Sequence, residues 1–274
     1  MIKNKVIKVI KEDNYFQHFE VIKRNRNKRY KHEEFFVEGV QNINEAIRNN
    51  WEISSFIYSG EKELSSWAKD ILCNFEVDAL YQLSNHLMEK LSEKEDTSEL
   101  LAIVKMKSDD LNRIKLTENP LIVVIDRPSN KGNLGTLIRS CNSLGANGLI
   151  VTGHAVDLYD PNTISSSVGT FFTLPAIRLR SHKEVYEWIQ SLKSTYPNFQ
   201  IIGTSSRGDK IVNQCNFLKP TVLILGNETV GLSKNYKDIT DLIVEIPIDG
   251  TTSSLNVSCA ASIILYEIKR QRYL

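Results

Sequence analysis

Leu121-Ile122-Val123-Val124-Ile125, followed closely by Asn130-Lys131-Gly132-Asn133-Leu134-Gly135 and Arg139, decides the fold. The first run is apolar without interruption, as in strands buried on both faces of a parallel sheet. A helix over 133–145 and a strand at Leu149–Thr152 complete a βαβ unit. Downstream, strands are expected at Phe172–Ala176, Gln200–Thr204, Val222–Leu225 and Leu242–Ile246, and helices at 182–194 and 254–271. The alternation predicts an α/β domain with a parallel sheet.

Upstream, Lys107-Ser108-Asp109-Asp110-Leu111-Asn112 is polar, and Glu118-Asn119-Pro120 is a turn. These signals divide the chain into a first domain over 1–108, a linker over 109–119 and a second domain over 120–274. Within the first, 12–50 reads as helix-rich around Phe35-Phe36-Val37 and Gly39. A strand from Trp51 to Tyr58, a helix at Leu64–Leu72, a strand at Val77–Tyr81, a helix at His86–Leu91 and a strand at Leu100–Lys105 follow. This is a small α/β, sandwich-like domain.

The 274 residues are 41% hydrophobic and 24% charged, enough apolar mass for two cores. A net charge of +1 confines any nucleic-acid surface to a local patch. Cys73, Cys141, Cys215 and Cys259 form no CxxC pair and, with five scattered histidines, offer no zinc spacing. Cys141 and Cys259 read as helix-packing residues. The basic N-terminus lacks a continuous apolar core, and no apolar run approaches a membrane span. A cytoplasmic protein without metal or membrane partner is expected.

Three Gly-rich or small-polar turns adjoin apolar runs: Asn130 to Gly135, Leu225-Gly226-Asn227-Glu228-Thr229-Val230-Gly231-Leu232-Ser233, and Ile246-Pro247 leading to Ser254-Leu255-Asn256-Val257-Ser258. Such turns expose backbone N–H groups and let a ligand approach closely. Together they point to one composite pocket. Each also has a plain structural reading: Asn133 and Ser254 as helix caps, Arg139 and Glu228 as solvated charges.

These motifs, in this order, resemble those of the SpoU (TrmH-like) RNA ribose 2′-O-methyltransferases of the SPOUT class, over roughly residues 121–272. The segment around Phe35-Phe36-Val37-Glu38-Gly39 resembles the ribosomal-protein-like RNA-binding domain that many members carry. The resemblance implies a deep trefoil knot in the second domain, S-adenosylmethionine as cofactor and a homodimer through the C-terminal domain. It places Arg139, Asn133, Glu228, Ser254 and Asn256 at catalytic positions. It places Thr204, Leu225, Gly226, Asn227, Gly231, Ile246, Ser254 and Leu255 around the cofactor. Glu228 is left with three roles: orienting Asn256, orienting Arg139, or balancing charge near the sulfonium. An arginine is too weak an acid to act as a base, so a fixed cation stabilising the developing alkoxide is the cheaper role for Arg139.

Val21–Lys31 carries six basic groups and no acid, offering Lys23, Arg24, Arg26, Lys28 and Arg29 to RNA phosphates. Its plain reading is a solvated helix face. Large-subunit (23S) rRNA is the favoured substrate because the N-terminal domain resembles that of the rRNA-modifying and thiopeptide-resistance branches. Transfer RNA is the nearer alternative, and a catalytically silent RNA-binding member is another. Gly132-Asn133-Leu134-Gly135 lacks the spacing of a dinucleotide fingerprint. Asn162 and Ser165 stand near positions where relatives often carry a basic residue.

Overall fold

The computed structural model describes residues 4–273, which form two compact units. One runs through Ser108 and also takes Tyr159–Phe172; the other holds Asp109–Leu158 and the chain from Thr173 on.

In the first unit the elements are β1 (Val6–Val9), α1 (Asn14–Arg24), α2 (Arg26–His32), β2 (Glu34–Glu38), α3 (Val40–Arg48), β3 (Ile53–Ser59), α4 (Ser66–Asn74), β4 (Ala79–Leu83), α5 (Asn85–Leu91) and β5 (Leu100–Lys105). The sheet order is β1-β4-β3-β5-β2, with β1, β4 and β3 parallel and β5 antiparallel to β3 and β2. Because side chains alternate across a strand, Phe36 enters one core with Phe16, Phe19, Ile22, Leu87 and Leu91 of α1 and α5. Phe35 enters an aromatic cluster with Trp51, Tyr159, Phe171 and Phe172. The basic run is two helices, not one. Asn25 ends α1, and its side chain accepts from the Lys28 N–H at 3.2 Å to cap α2.

The second unit opens with residues 109–119, which carry Leu111, Ile114 and Leu116 into its core. Then come β6 (Leu121–Asp126), α6 (Lys131–Ser143) and β7 (Gly148–Thr152). The chain next enters the first unit, where α7 (Pro161–Ser167) and a 3₁₀ turn at Thr170–Phe172 lie. Trp51 Nε1–H donates to Phe172 O at 2.9 Å, and the Gly169 N–H donates to Asn42 Oδ1 at 2.7 Å. The strand expected at Phe172–Ala176 is therefore corrected. Its first residue, Phe172, closes a 3₁₀ turn held in that cluster, and pairing begins only at Ala176.

Back in the second unit are β8 (Ala176–Leu179), α8 (His182–Thr195), β9 (Gln200–Thr204), β10 (Lys210–Ile211), β11 (Thr221–Leu225), α9 (Lys234–Lys237), β12 (Leu242–Glu245) and α10 (Val257–Tyr273). All seven strands are parallel, in the order β10-β12-β9-β11-β6-β7-β8. β6, β7 and β11 are buried at every position, as the uninterrupted apolar runs require. Cys141 is buried on α6, but Cys259 is exposed on α10, which corrects its reading as a packing residue. Among the described residues no helix is long and apolar enough to cross a membrane, and no acid, His and Cys group could hold a metal.

Candidate active site

From β6 the sheet is built outward in two directions, through β7 and β8 on one side and through β11, β9 and β12 on the other. The order thus reverses between β6 and β11. In open α/β sheets a crevice opens at the carboxyl ends of such a pair and receives ligands. The loops at 127–130 and 226–232 leave these two strand ends, and the segment 246–256 leaves β12.

Glu228 ties them together. Its Oε2 accepts from the Ser129 N–H at 2.9 Å and Ser129 Oγ at 2.8 Å; its Oε1 accepts from the Asn130 N–H at 3.3 Å. Asn133 Nδ2 reaches the same Oε1 at 3.5 Å, and Asn256 Nδ2 donates to Asn133 Oδ1 at 3.0 Å. One polar chain therefore joins all three sequence motifs. Burial pushes the Glu228 carboxyl pKa upward, but backbone and side-chain donors outweigh it and hold it below the ordinary range. Such a carboxylate is a weak proton acceptor and a strong anchor.

Both caps differ from expectation. The first helix begins at Lys131, and Asn130 caps it by accepting from the Asn133 N–H at 2.9 Å. Asn133 sits one turn in, its side chain free to link Glu228 and Asn256. At α10, Asn256 Oδ1 accepts from the N–H groups of Ser258 at 2.9 Å and Cys259 at 3.4 Å, and from Ser258 Oγ at 2.6 Å. Asn256, not Ser254, is the cap, because only its carbonyl reaches the orphan donors of the first turn. Ser254 is exposed and makes no hydrogen bond among the described residues.

The Asn227 loop is closed by paired backbone bonds between Asn227 and Gly231, at 3.1 and 2.9 Å, and Asn227 Oδ1 accepts from the N–H groups of Thr229 and Val230. A Cβ on Gly226 would lie 2.3 Å from the Gly231 carbonyl carbon and the Leu232 nitrogen, so only glycine fits there. Leu225 is the buried last residue of β11. Thr204 ends β9, its hydroxyl donating to Ile224 O at 3.2 Å.

Ile246 to Leu255 forms no helix or strand, and none of its backbone groups is hydrogen-bonded within the described chain. Its N–H and C=O groups, with Leu255 at 40% exposure, offer uncommitted donors, acceptors and apolar surface. That donor set fits S-adenosylmethionine, whose adenine and aminocarboxylate ends need backbone-type partners and whose sulfonium needs no cation nearby.

Arg139 lies on the exposed face of α6 and has no hydrogen bond or ion pair among the described residues. The structure does not bring it into the Glu228 chain. Six residues along a helix advance about 9 Å and turn about 240°, so Asn133 and Arg139 occupy different faces. Of the basic run, Lys23 is buried, 3.4 Å from Glu93 and over the Phe36 ring. Arg29 is 1% exposed and donates to the carbonyls of Ile22 and Lys23 and to Asp160. Both are corrected from RNA contacts to internal fasteners. Arg24, Arg26 and Lys28 remain exposed. Ser129 and Ser258 were not singled out from the sequence, since a serine beside a cap carries no distinctive signal. Asn130 had one, as a favoured capping residue before an apolar-periodic run.

Two family models match the chain: the SpoU rRNA methylase family over residues 120–266 and the SpoU L30e-like domain over residues 13–102. A 23S rRNA (uridine(2479)-2′-O)-methyltransferase of Streptomyces viridochromogenes is 42% identical over 257 residues, 94% of this chain and 90% of the relative. A 23S rRNA (guanosine(2553)-2′-O)-methyltransferase of Bacillus subtilis is 24% identical, covering 89% of this chain and 92% of the relative. Among solved structures, the SpoU methyltransferase AviRb from Streptomyces viridochromogenes, in complex with AdoMet, superposes with a TM-score of 0.91 at 42% identity. That match covers 94% of this chain and 98% of the other.

Proposed function

The chain belongs to the SpoU rRNA methylase family, and we infer that it is an S-adenosylmethionine-dependent ribose 2′-O-methyltransferase acting on large-subunit (23S) ribosomal RNA. The observation that carries this reading is the Glu228–Asn133–Asn256 chain, which gathers three sequence-distant motifs at the point where strand order reverses.

When bound, S-adenosylmethionine supplies an electrophilic methyl group. The protein aligns the acceptor oxygen and stabilises charge developing on it. Backbone groups of 246–255, with Leu225, Gly226, Asn227, Gly231 and Thr204, form the cofactor's walls. Glu228 is a positioning residue: committed to four donors, it fixes Asn133 and through it Asn256. Ser254, exposed and uncommitted, and Asn256 face the ribose. Arg139 is the fixed cation beside the developing alkoxide, and the hydroxyl proton leaves to a phosphate or water.

Because Arg139 stands on another face of α6 than Asn133, the arrangement calls for a second copy of the chain. A homodimer through the C-terminal domain brings one protomer's Arg139 to its partner's site. Ile263 and Tyr266, exposed one turn apart on α10, supply an apolar strip for that association. The second unit is read as a SPOUT domain with a trefoil knot. The backbone-tight approaches at Gly226, and at Gly208, where a Cβ would lie 2.7 Å from the Glu245 nitrogen, support close threading. Arg24, Arg26 and Lys28 contact RNA phosphates, and the enzyme works in the cytoplasm. In a filter-binding assay with labelled cofactor, wild-type protein transfers methyl to 23S rRNA, whereas Arg139→Ala binds cofactor normally and loses kcat. Equal kcat for the two proteins would remove Arg139 from the chemistry.

A further inference from the structure

We propose that Arg127 grips an RNA backbone phosphate at the mouth of the site, an inference that rests on the reading above. Arg127 directly follows β6 and has φ 52°, the left-handed region that disfavours any residue with a Cβ. A glycine would adopt it freely, so the arginine side chain needs a reason to be there.

Its surroundings hold it on every side. The Arg127 N–H donates to Thr152 O at 2.9 Å, and its carbonyl accepts from Asn227 Nδ2 at 2.7 Å. Nε and Nη2 donate to the buried Asp126 carboxylate at 3.1 and 2.9 Å. Gly153 leaves room for the stem: a Cβ there would lie 2.6 Å from Arg127 Cγ.

Asp126 takes only one edge of the guanidinium. The Nη1 end remains, with no acceptor among the described residues, on a side chain 38% exposed. Two residues on, Ser129 anchors Glu228, so this open edge lies on the loop that shapes the site. A planar fork with one edge fixed presents its other edge at a set angle, which suits a two-oxygen contact to phosphate. The Asp126 charge offsets much of the long-range attraction. Geometry therefore carries the contact, and a lysine cannot serve both oxyanions.

The test compares wild type, Arg127→Lys and the double variant Asp126→Asn/Arg127→Gly, which removes the carboxylate that Arg127→Gly alone would orphan. Measured are thermal midpoint, calorimetric S-adenosylmethionine affinity, and KM and kcat on a 23S rRNA transcript. Both variants should stay folded, losing at most a few degrees of midpoint, keep cofactor affinity, and raise KM for RNA about tenfold, as loss of a charge-assisted contact implies. Wild-type KM in either variant, or a parallel fall in cofactor affinity, overturns the inference. A wild-type protein inert on RNA overturns instead the underlying reading.

Discussion

Replacing Glu228 with glutamine tests whether its carboxylate is the anchor of the site. The amide keeps one acceptor for Ser129 but turns an NH₂ toward the N–H of Asn130 and the Nδ2 of Asn133, which now approach Oε1 at 3.3 and 3.5 Å. Charge-assisted hydrogen bonds contribute roughly 1.5–3 kcal/mol each when dry, but this loop is half-exposed and water replaces much of what is lost. A net loss of about 1 kcal/mol is expected after that screening. For a domain of this size it lowers the thermal midpoint by about 2–4 °C. The effect has a pH signature. Because the folded-state pKa of Glu228 is depressed, its stabilisation is present above the ordinary value near 4.5 and lost as pH falls through the folded value. Melting both proteins from pH 7 to pH 3 should show a gap that narrows below about pH 4.5. A gap constant across that range, or none at neutral pH, would refute the anchoring role.

Other outcomes follow from the same geometry. Asn256→Ala removes both the α10 cap and the link to Asn133 and should cost about 1–2 kcal/mol in urea unfolding; Asn256→Asp keeps the cap, restores most of that stability, and still lowers kcat. Trp51→Phe leaves the buried Phe172 carbonyl without its indole donor and should lower stability by about 1 kcal/mol. Reversing Arg24, Arg26 and Lys28 to glutamate should weaken rRNA binding and flatten its salt dependence without unfolding the protein. Arg29→Ala should instead unfold the first unit, read by circular dichroism, because it empties a buried cationic site beside Asp160.

Much of this was legible because continuous apolar runs mark central parallel strands: β9 and β5 fall at the bounds read from the sequence, and β6 and β11 within a residue of them. The convergence of Asn133, Glu228 and Asn256 was also foreshadowed by the order of their motifs. Charge partners were not. Lys23 and Arg29 sit in a run that looks solvated, and nothing nearby announces Glu93 or Asp160, which lie far along the chain. Phe172 reads as the start of a strand because an aromatic beside an apolar run favours one, yet tertiary packing on Phe35 and Trp51 holds it in a turn. β1 was missed because a four-residue strand at a sheet edge, with Val6 half-exposed, leaves little pattern.

In the proposed reaction a sugar oxygen, not a base, receives the methyl group. Incubating the protein with methyl-labelled S-adenosylmethionine and 23S rRNA, then digesting the RNA with alkali, reads this directly. A blocked 2′-hydroxyl protects one phosphodiester, so label is expected in a single alkali-resistant dinucleotide. Label released entirely as a methylated-base mononucleotide would contradict it.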